Sequence, residues 1–570
     1  MTNARWRIRI ISALVVLFAA ALVSKLYLVQ VVRGDEYAEM AEERYRRPHD
    51  IFDRGSIFFE DRTGQPVSAA TLKSGYALVI NPKEIKDPLS AYEKISSVID
   101  GIDKDKFILR AGDKDGSYAD IAKKLPKEQA DLVKELGVKW ADVRLEKWRY
   151  YPAGAMAAHT LGFVSYKGDS LSGAYGIERY YDDILSRNSN DSYANFFAEI
   201  FIGVKESIAE EAGARKGDIV TTIEPTVEAY LEKTVNKIDE KWDPDLTGAI
   251  IMDPKTGEIR AMAVSPSFNL NDYGNVESNL VYGNPLVESV YEMGSIMKPL
   301  TVAAGLDTGV IKASDTYYDS GSVTLNGAKI SNFDGKGRGT VSMQEVLSQS
   351  LNTGVVHIMH KLGRERFAEY MENYDLGEET GIDLPGEVAG LTGNLSSKRD
   401  IEHATAAFGQ GIATTPIATV RALASLSNGG KLVTPHVVKK INYELGYSRE
   451  IIPAREDEIV LKPETSGEIT RMLVEVVDKA LLGGTVKMER YSIAAKTGTA
   501  EIANPAGGGY YEDRNLHSFF GYFPAYDPKF IVFFYSVNPK GIKYASQTLT
   551  EPFMDVAKFL INYYEIPPDR

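Results

Sequence analysis

Near its C-terminal end the chain carries the unbroken apolar and aromatic run Phe530-Ile531-Val532-Phe533-Phe534-Tyr535. A run that does not alternate with polar residues is typical of a strand buried on both faces. The segment His517–Phe523 precedes it across a short polar turn, so the two predict an antiparallel hairpin. A second hairpin is predicted upstream, where Gly248–Met252 and Glu258–Val264 flank the turn Asp253–Gly257.

A sheet that is buried on both sides must be covered by helices on both sides. Helical patterns occur after Ser295, between Met343 and Tyr374, and over Pro552–Tyr564, where apolar residues recur on one stripe. Strands and helices are grouped rather than strictly alternating. The second half of the chain is therefore predicted to be an α+β domain.

The composition of the chain excludes several classes of protein. The chain has 570 residues, and 44% hydrophobic and 25% charged residues are close to globular averages, which excludes a disordered or polytopic membrane protein. The net charge of −14 argues against nucleic acid as a partner, because such binders need a basic surface. The absence of cysteine excludes disulfides and a cysteine nucleophile.

The N-terminus predicts one membrane helix over residues 10–32. This stretch is apolar apart from Ser12, Ser24, Lys25 and Gln30, and as a helix it spans about 34 Å, enough for a bilayer core of ~30 Å. Three arginines within residues 1–9 mark that end as cytoplasmic. The alternative is a signal peptide cleaved after Ala21, but the apolar pattern continues beyond that residue, which favours an uncleaved anchor.

The first candidate for chemistry is Tyr291-Glu292-Met293-Gly294-Ser295-Ile296-Met297-Lys298-Pro299. Proline is tolerated in the first turn of a helix, so Pro299 predicts that a helix begins near Gly294 or Ser295. Lys298 then lies one turn after Ser295, where its amine could activate the hydroxyl if its pKa is low. An isolated S-x-x-K more commonly just caps a helix.

Two further short motifs follow in the chain. Ser350-Leu351-Asn352 stands after an amphipathic run, and by itself it indicates no more than a polar turn. Lys496-Thr497-Gly498-Thr499 follows a strand-like segment and could be an ordinary strand end. It also offers a cation and a hydroxyl suited to a carboxylate, beside a glycine that lets a substrate backbone approach.

Taken together, S-x-x-K, S-x-N and K-T-G in this order resemble the signature of penicillin-binding proteins and class A β-lactamases. Leu351 replaces the aspartate of the lactamase pattern, which favours the transpeptidase branch. Further stretches resemble class B penicillin-binding proteins: Arg54-Gly55-x-Ile57, Asp61-Arg62-x-Gly64, Arg149–Pro152, His159-x-Leu161-Gly162, Gly176–Glu178, Ile382–Glu387, Phe408–Gly411 and Thr415-Pro416.

Within that class the chain most resembles the cell-division (septal) peptidoglycan D,D-transpeptidases. An elongation-type enzyme, a β-lactam-binding sensor and a β-lactamase are the alternatives. The resemblance implies this organisation: cytoplasmic residues 1–9, a transmembrane helix over 10–32, an elongated mixed pedestal over 33–220, a transpeptidase domain over 221–566 with an antiparallel sheet covered by helices on both faces, and a tail over 567–570.

The resemblance also implies roles for the motif residues. Ser295 would attack the penultimate D-Ala carbonyl of a peptidoglycan stem peptide, Lys298 would take its proton, and Ser350 would relay it. The backbone N–H groups of Ser295 and Thr499 would form the oxyanion hole. The substrate itself would be bound by Asn352, Lys496, Thr497, Gly498 and Thr499.

No cofactor or metal is expected, since His357 and His360 lack the further ligands of a zinc site. The implied partners are stem peptides, β-lactams, a membrane-embedded glycan polymerase and other proteins of a division or elongation complex. The implied location is the bacterial inner membrane, with one span and the catalytic domain outside the cytoplasm.

Overall fold

The structure is a computed structural model that describes residues 52–116, 118–168, 170–187, 216–276, 278–444, 446–451 and 458–570. The predicted cytoplasmic residues 1–9 and the predicted transmembrane helix over 10–32 lie outside the described residues. Among the residues that are described, no helix is both long enough and apolar enough to cross a bilayer.

The strands vary in length from 2 to 15 residues. In chain order they are β1 Ile57–Glu60, β2 Pro66–Ile80, β3 Ala119–Leu125, β4 Ala141–Tyr150, β5 Val164–Lys167, β6 Ser170–Gly173, β7 Gly217–Thr221, β8 Leu246–Met252, β9 Ile259–Ser265, β10 Thr316–Asp319, β11 Ser322–Leu325, β12 Ala328–Ser331, β13 Gly339–Ser342, β14 Lys431–Leu432, β15 Val438–Tyr443, β16 Ser448–Glu450, β17 Glu458–Ile459, β18 Ala494–Ala503, β19 Tyr510–Phe523 and β20 Phe530–Val537.

The α-helices are α1 Pro88–Ser96, α2 Lys104–Gly112, α3 Lys127–Glu135, α4 Ala158–Leu161, α5 Gly176–Tyr180, α6 Asp182–Leu185, α7 Pro225–Trp242, α8 Pro285–Glu288, α9 Lys298–Asp307, α10 Met343–Ser348, α11 Asn352–Leu362, α12 Arg364–Asn373, α13 Asp400–Ala406, α14 Pro416–Ala424, α15 Pro463–Glu475, α16 Ala545–Thr548 and α17 Thr550–Tyr563. Shorter 3₁₀ turns include Gly294–Met297 and Leu481–Gly484, and a π-helical turn covers Val476–Ala480.

The chain divides into two compact units. Of the described residues, one unit contains those of Ser74–Lys147, and the other contains Asp53–Lys73 and those from Trp148 to Arg570. In the first unit β3 pairs with the end of β2, and helices α1 and α2 contribute Ile95 and Phe107 to a small apolar core. The predicted domain boundary at residue 220 stays a prediction.

The second unit is built on a five-stranded antiparallel sheet in the order β18-β19-β20-β8-β9. Both predicted hairpins are therefore confirmed. Alternate residues of β20 point to opposite faces: Phe533 joins an apolar cluster with Leu300 of α9, whereas Phe534 joins a second cluster with Leu231 of α7 and Phe553 of α17. The predicted α+β fold, with helices over both faces of the sheet, is confirmed.

A buried ion cluster joins three of the motif segments within the second unit. Glu178 Oε2 accepts from Arg54 Nε at 2.6 Å, and Glu178 Oε1 accepts from Arg149 Nε at 2.5 Å. Arg54 also bonds Asp182 Oδ1 at 2.6 Å, and Arg149 donates to the Gly55 carbonyl at 2.7 Å. Arg54 and Glu178 are at most 1% exposed, so each charge depends on the others for compensation.

This cluster predicts a large loss of stability for Glu178→Gln. The substitution leaves the buried Arg149 without its carboxylate and Arg54 with Asp182 alone, and breaking a buried pair in this way costs roughly 3–5 kcal/mol of unfolding free energy. Thermal or denaturant unfolding measures the effect. Glu565→Gln is the matched control, because Glu565 and Arg62 form an exposed pair at 3.5 Å whose loss should cost under about 1 kcal/mol. Equal effects of the two substitutions would contradict a structural role for the cluster.

Candidate active site

Ser295 lies on a tight turn that leads into α9. The turn Gly294–Met297 is 3₁₀-helical, and the α-helix begins at Lys298 with Pro299 in its first turn, as the proline predicted. In a 3₁₀ turn, residues three apart lie directly above one another, which brings Ser295 and Lys298 to the same side. Ile296 and Met297 point into the core, so the turn is held by packing.

Two buried amines converge on the Ser350 hydroxyl. Lys298 Nζ donates to the Ser350 carbonyl at 2.6 Å and lies 3.2 Å from its Oγ. Lys496 Nζ lies 3.1 Å from the same Oγ and donates to the Thr497 carbonyl at 2.9 Å. Ser350 has φ of +53°, a left-handed conformation that non-glycine residues seldom adopt and that is found disproportionately at functional sites.

Burial of these amines lowers their affinity for protons. Lys298 is 0% exposed, and burial together with the charge of Lys496 holds the pKa of Lys298 well below its ordinary value. Burial lowers the pKa of Lys496 to about 7. The two pKa values thus favour a neutral Lys298 beside a Lys496 that is partly protonated near neutral pH. A neutral amine can accept a proton, and a protonated one can bind an anion.

Strand β18 is the edge strand of the central sheet and passes very close to the Ser295 turn. A side chain at Gly498 would place Cβ 2.3 Å from Ser518 Oγ and 2.8 Å from the Met293 carbonyl. Ser518 Oγ in turn donates to that carbonyl at 2.8 Å. Gly498 was predicted to admit a substrate backbone, and the structure adds that it lets the protein's own turn approach the strand.

The residue directly before the K-T-G motif is Ala495, whose methyl group needs more room than a glycine would. It is fully buried in β18 and pairs with Gly521 of β19. A Cβ at Gly521 would lie 2.9 Å from that of Ala495 and 2.5 Å from the Phe553 ring. The glycine on the partner strand therefore provides the room that the extra methyl group needs.

The motif residues surround one cavity of about 990 Å³. Its lining includes the predicted residues Ser295, Ser350, Asn352, Lys496, Thr497 and Thr499. Lys298 lies beneath the floor and reaches the site through Ser350. The three motifs, spread over about two hundred residues, are thus brought together as the sequence predicted, whereas their individual roles stay predictions.

Several residues of the site carried no signal in the sequence. Phe333, Arg338 and Tyr544 also line the cavity. Behind its wall, the carboxylate of Asp319 accepts four donors although no motif marks it. Arg338 lies in the glycine-rich stretch 335–339.

This geometry suits nucleophilic acyl transfer. A serine on a tight 3₁₀ turn, a buried lysine of lowered pKa one turn further on, and a second serine that contacts both amines provide a nucleophile, a base and a path for a proton. Lys496 and Thr497 stand on the cavity side, where a carboxylate could lie.

Comparison with known families agrees with this chemistry. Residues 247–558, more than half of the chain, match the penicillin binding protein transpeptidase domain, and residues 52–195 match the penicillin-binding protein dimerisation domain. The chain is a class B penicillin-binding protein.

Relatives of this penicillin-binding protein match along nearly all of its length. Stage V sporulation protein D of Bacillus subtilis is 31% identical over 543 residues, which cover 93% of this chain and 81% of the relative. Peptidoglycan D,D-transpeptidase FtsI of Escherichia coli is 26% identical over 576 residues, which cover 99% and 93%. Penicillin binding protein 3 of Mycobacterium tuberculosis, solved in complex with aztreonam, has the same fold, with a TM-score of 0.69, 22% identity and coverage of 91% and 98%.

The lysine pair predicts a bell-shaped pH dependence of acylation by a carboxylate-bearing penicillin. The pH dependence of the second-order rate constant reports the pKa values of groups in the free enzyme. This rate constant should be low at acid pH, where Lys298 is protonated. It should also decrease as the pH rises above the Lys496 pKa of about 7, because the Lys496 cation is then lost. Stopped-flow measurement of acylation across this pH range tests the profile.

Lys496→Arg is the control for the alkaline limb. A guanidinium group stays charged throughout this pH range, so the alkaline fall should move to higher pH in this variant. An alkaline limb that stays in place would show that another group is responsible for it.

Proposed function

We propose that this penicillin-binding protein is a peptidoglycan D,D-transpeptidase that cross-links stem peptides through an acyl-enzyme on Ser295. The observation that carries the proposal is the convergence of Lys298 and Lys496 on Ser350, in the cavity that Ser295 lines. The family and the near full-length match to a D,D-transpeptidase support it.

In the acylation step Ser295 Oγ attacks the carbonyl carbon of the penultimate D-Ala and forms an ester. Lys298 accepts the hydroxyl proton, for which its low pKa suits it. The peptide C–N bond then breaks, and the leaving terminal D-Ala takes a proton relayed through Ser350. A stem-peptide amine attacks the ester in the second step, which restores Ser295 and forms the cross-link.

The substrate would be bound by residues of the cavity wall. Lys496 and Thr497 would hold the terminal carboxylate, and Asn352 would bind the substrate amide. The N–H groups of Ser295 and Thr499 would stabilise the oxyanion, where one donor typically contributes about 10²–10³ in rate. The close approach of β18 to the Ser295 turn supports this, because it brings both backbone segments to one end of the cavity.

A hydrolase is the competing function, and it would need a carboxylate to activate water. In class A β-lactamases a glutamate in an E-x-x-L-N pattern activates the water. The nearest parallel to that pattern in this chain is Glu369 with Asn373. Both are exposed on α12, and neither is among the residues that line the cavity. The cavity is lined by other carboxylates, Glu345, Glu475 and Glu501, so this placement argues only against a water-activating base at the position of the lactamase pattern.

The proposal predicts that a fluorescent penicillin labels the wild-type protein and fails to label Ser295→Ala. Lys298→Ala should slow labelling by several orders of magnitude, because an unactivated hydroxyl is a poor nucleophile. Labelled protein is resolved on gels, and peptide mapping by mass spectrometry locates the adduct. Ser289→Ala, a few residues upstream in the chain, is the control that should label normally.

Two results would contradict the proposal. Label retained in Ser295→Ala would assign the nucleophile to another residue. Return of the free-enzyme mass within seconds after excess penicillin is removed would indicate a hydrolase, whereas a transpeptidase should keep its acyl group for many minutes.

We also propose that the enzyme acts in cell division, anchored in the inner membrane by residues 10–32 with its catalytic domain outside the cytoplasm. The apolar stretch of the sequence supports the anchor, and the match to FtsI over 99% of the chain supports the division role. A glycan polymerase in the membrane and other division proteins would be its partners.

The division role predicts that a fluorescent fusion of the full chain collects at mid-cell in dividing cells. A matched fusion that lacks residues 1–33 should leave the membrane fraction while it still reacts with penicillin. A full-length fusion spread evenly along the side wall would favour the elongation role instead.

A further inference from the structure

Glu501 is a carboxylate of the cavity wall that has no counter-ion among the described residues. Three glutamates line the cavity: Glu345, Glu475 and Glu501. Glu475 forms an ion pair with Lys479 at 3.0 Å, and Glu345 accepts from the Gln349 amide at 2.5 Å. Glu501 is exposed to the cavity, and its carboxylate forms neither an ion pair nor a hydrogen bond with any residue that the structure describes.

A second carboxylate lies near Glu501. Glu292 Oε1 accepts from the Gly411 N–H at 3.0 Å and from Tyr510 OH at 3.2 Å. Glu292 Oε2 is buried, and no donor in the described part of the chain reaches it. Burial raises the pKa of Glu292 and the charge of Glu501 raises it further, so the two carboxylates are close enough to repel each other. Because a buried acceptor without a donor is costly, a cation would stabilise this end of the cavity.

The position of Glu501 along β18 indicates which part of a ligand it would contact. Side chains two residues apart on a strand point to the same face, and Thr497, Thr499 and Glu501 all line the cavity. β18 is an edge strand, so an extended peptide can lie along it. Under the proposed function, the terminal carboxylate lies at Thr497 and the acylated carbonyl at Thr499. The ligand residue before these two would then lie beside Glu501, about 6.8 Å further along the strand.

We propose that Glu501, with Glu292 near it, is a specificity-determining residue that selects stem peptides in which the residue before the two D-Ala residues carries a side-chain amine. An ammonium group there would neutralise Glu501 and offer a donor to the Glu292 oxygen that lacks one. The proposal rests on the proposed function, because the position of the ligand along β18 follows from acylation at Ser295. Lys543 also lines the cavity, and its charge would favour the opposite selection.

The test uses three penicillins that are made from 6-aminopenicillanic acid and differ at the end of the acyl chain. An ω-aminohexanoyl chain places an ammonium group where a lysine side chain would, its N-acetyl derivative is neutral, and an adipoyl chain ends in a carboxylate. Second-order acylation constants are measured at low ionic strength and divided by that of the neutral compound, so a general change in reactivity cancels. Wild type should favour the cationic compound about fivefold, the upper value for a partly exposed ion pair.

Variants of the two glutamates should change this ratio in a defined order. Glu501→Gln should bring it to about one, and Glu292→Gln should lower it in part. Glu501→Lys should make the adipoyl compound the preferred one, because the charge is reversed. Glu512→Gln is the matched control: Glu512 is exposed on β19 of the same hairpin and is not among the residues that line the cavity, so the ratio should stay as in wild type.

The outcomes are distinct. A ratio that Glu501→Gln leaves unchanged, while adducts still form at Ser295, would overturn the role of Glu501 alone. A wild type that favours the adipoyl compound would overturn it too, and would assign the selection to a cation such as Lys543. An equal loss in Glu512→Gln would show an effect of net charge and not of the site. Failure of the wild type to form any adduct at Ser295 would overturn the proposed function.

Discussion

The contact on which the site depends is that between two buried amines and one hydroxyl. Lys298 and Lys496 both lie within about hydrogen-bond distance of Ser350 Oγ, and both are removed from solvent. Two ammonium groups cannot share such a place without strong repulsion, so one amine must give up its proton. The neutral base that a serine nucleophile needs is therefore a consequence of burial and of the neighbouring like charge.

The central sheet and its two apolar faces keep these amines in place. Lys496 belongs to β18, which pairs with β19 through residues that are buried around Lys496, among them Ala494, Ala495, Phe520 and Tyr522. Lys298 is the first residue of α9, and Leu300 of that helix belongs to the same apolar cluster as Phe533 of the sheet. A shift of β18 by one residue would turn Lys496 to the opposite face, which explains why a well-packed sheet stands directly behind the chemistry.

Part of this arrangement could be predicted from the sequence. The run Phe530–Tyr535 and its hairpin partners were clear because a strand buried on both faces has a distinctive composition. Pro299 correctly placed the start of the helical segment. Each motif by itself was ambiguous, however, and their joint meaning came from a resemblance to a known family and not from spacing.

Other features of the fold and the site could not be predicted from the local sequence. The meeting of Lys298 with Lys496 depends on long-range sheet packing, and the hydrogen bonds that Asp319 accepts come from separate parts of the chain. The 3₁₀ form of the Ser295 turn and the division of the chain after Lys73 are likewise tertiary properties. The ion cluster around Glu178 shows the same limit, since Arg54, Arg149 and Glu178 were recognised as motif residues without a sign that they contact one another.

The most direct test of the account is the pKa of Lys298 itself. NMR of the full chain labelled with ¹³C at lysine Cε, with Lys298→Arg to assign the signal, follows this amine through a pH titration. The account predicts a midpoint well below the ordinary lysine value of 10.5, because the amine is buried beside Lys496. A midpoint at or above 10.5 would mean that Lys298 is protonated at neutral pH, and it would contradict the assignment of Lys298 as the base.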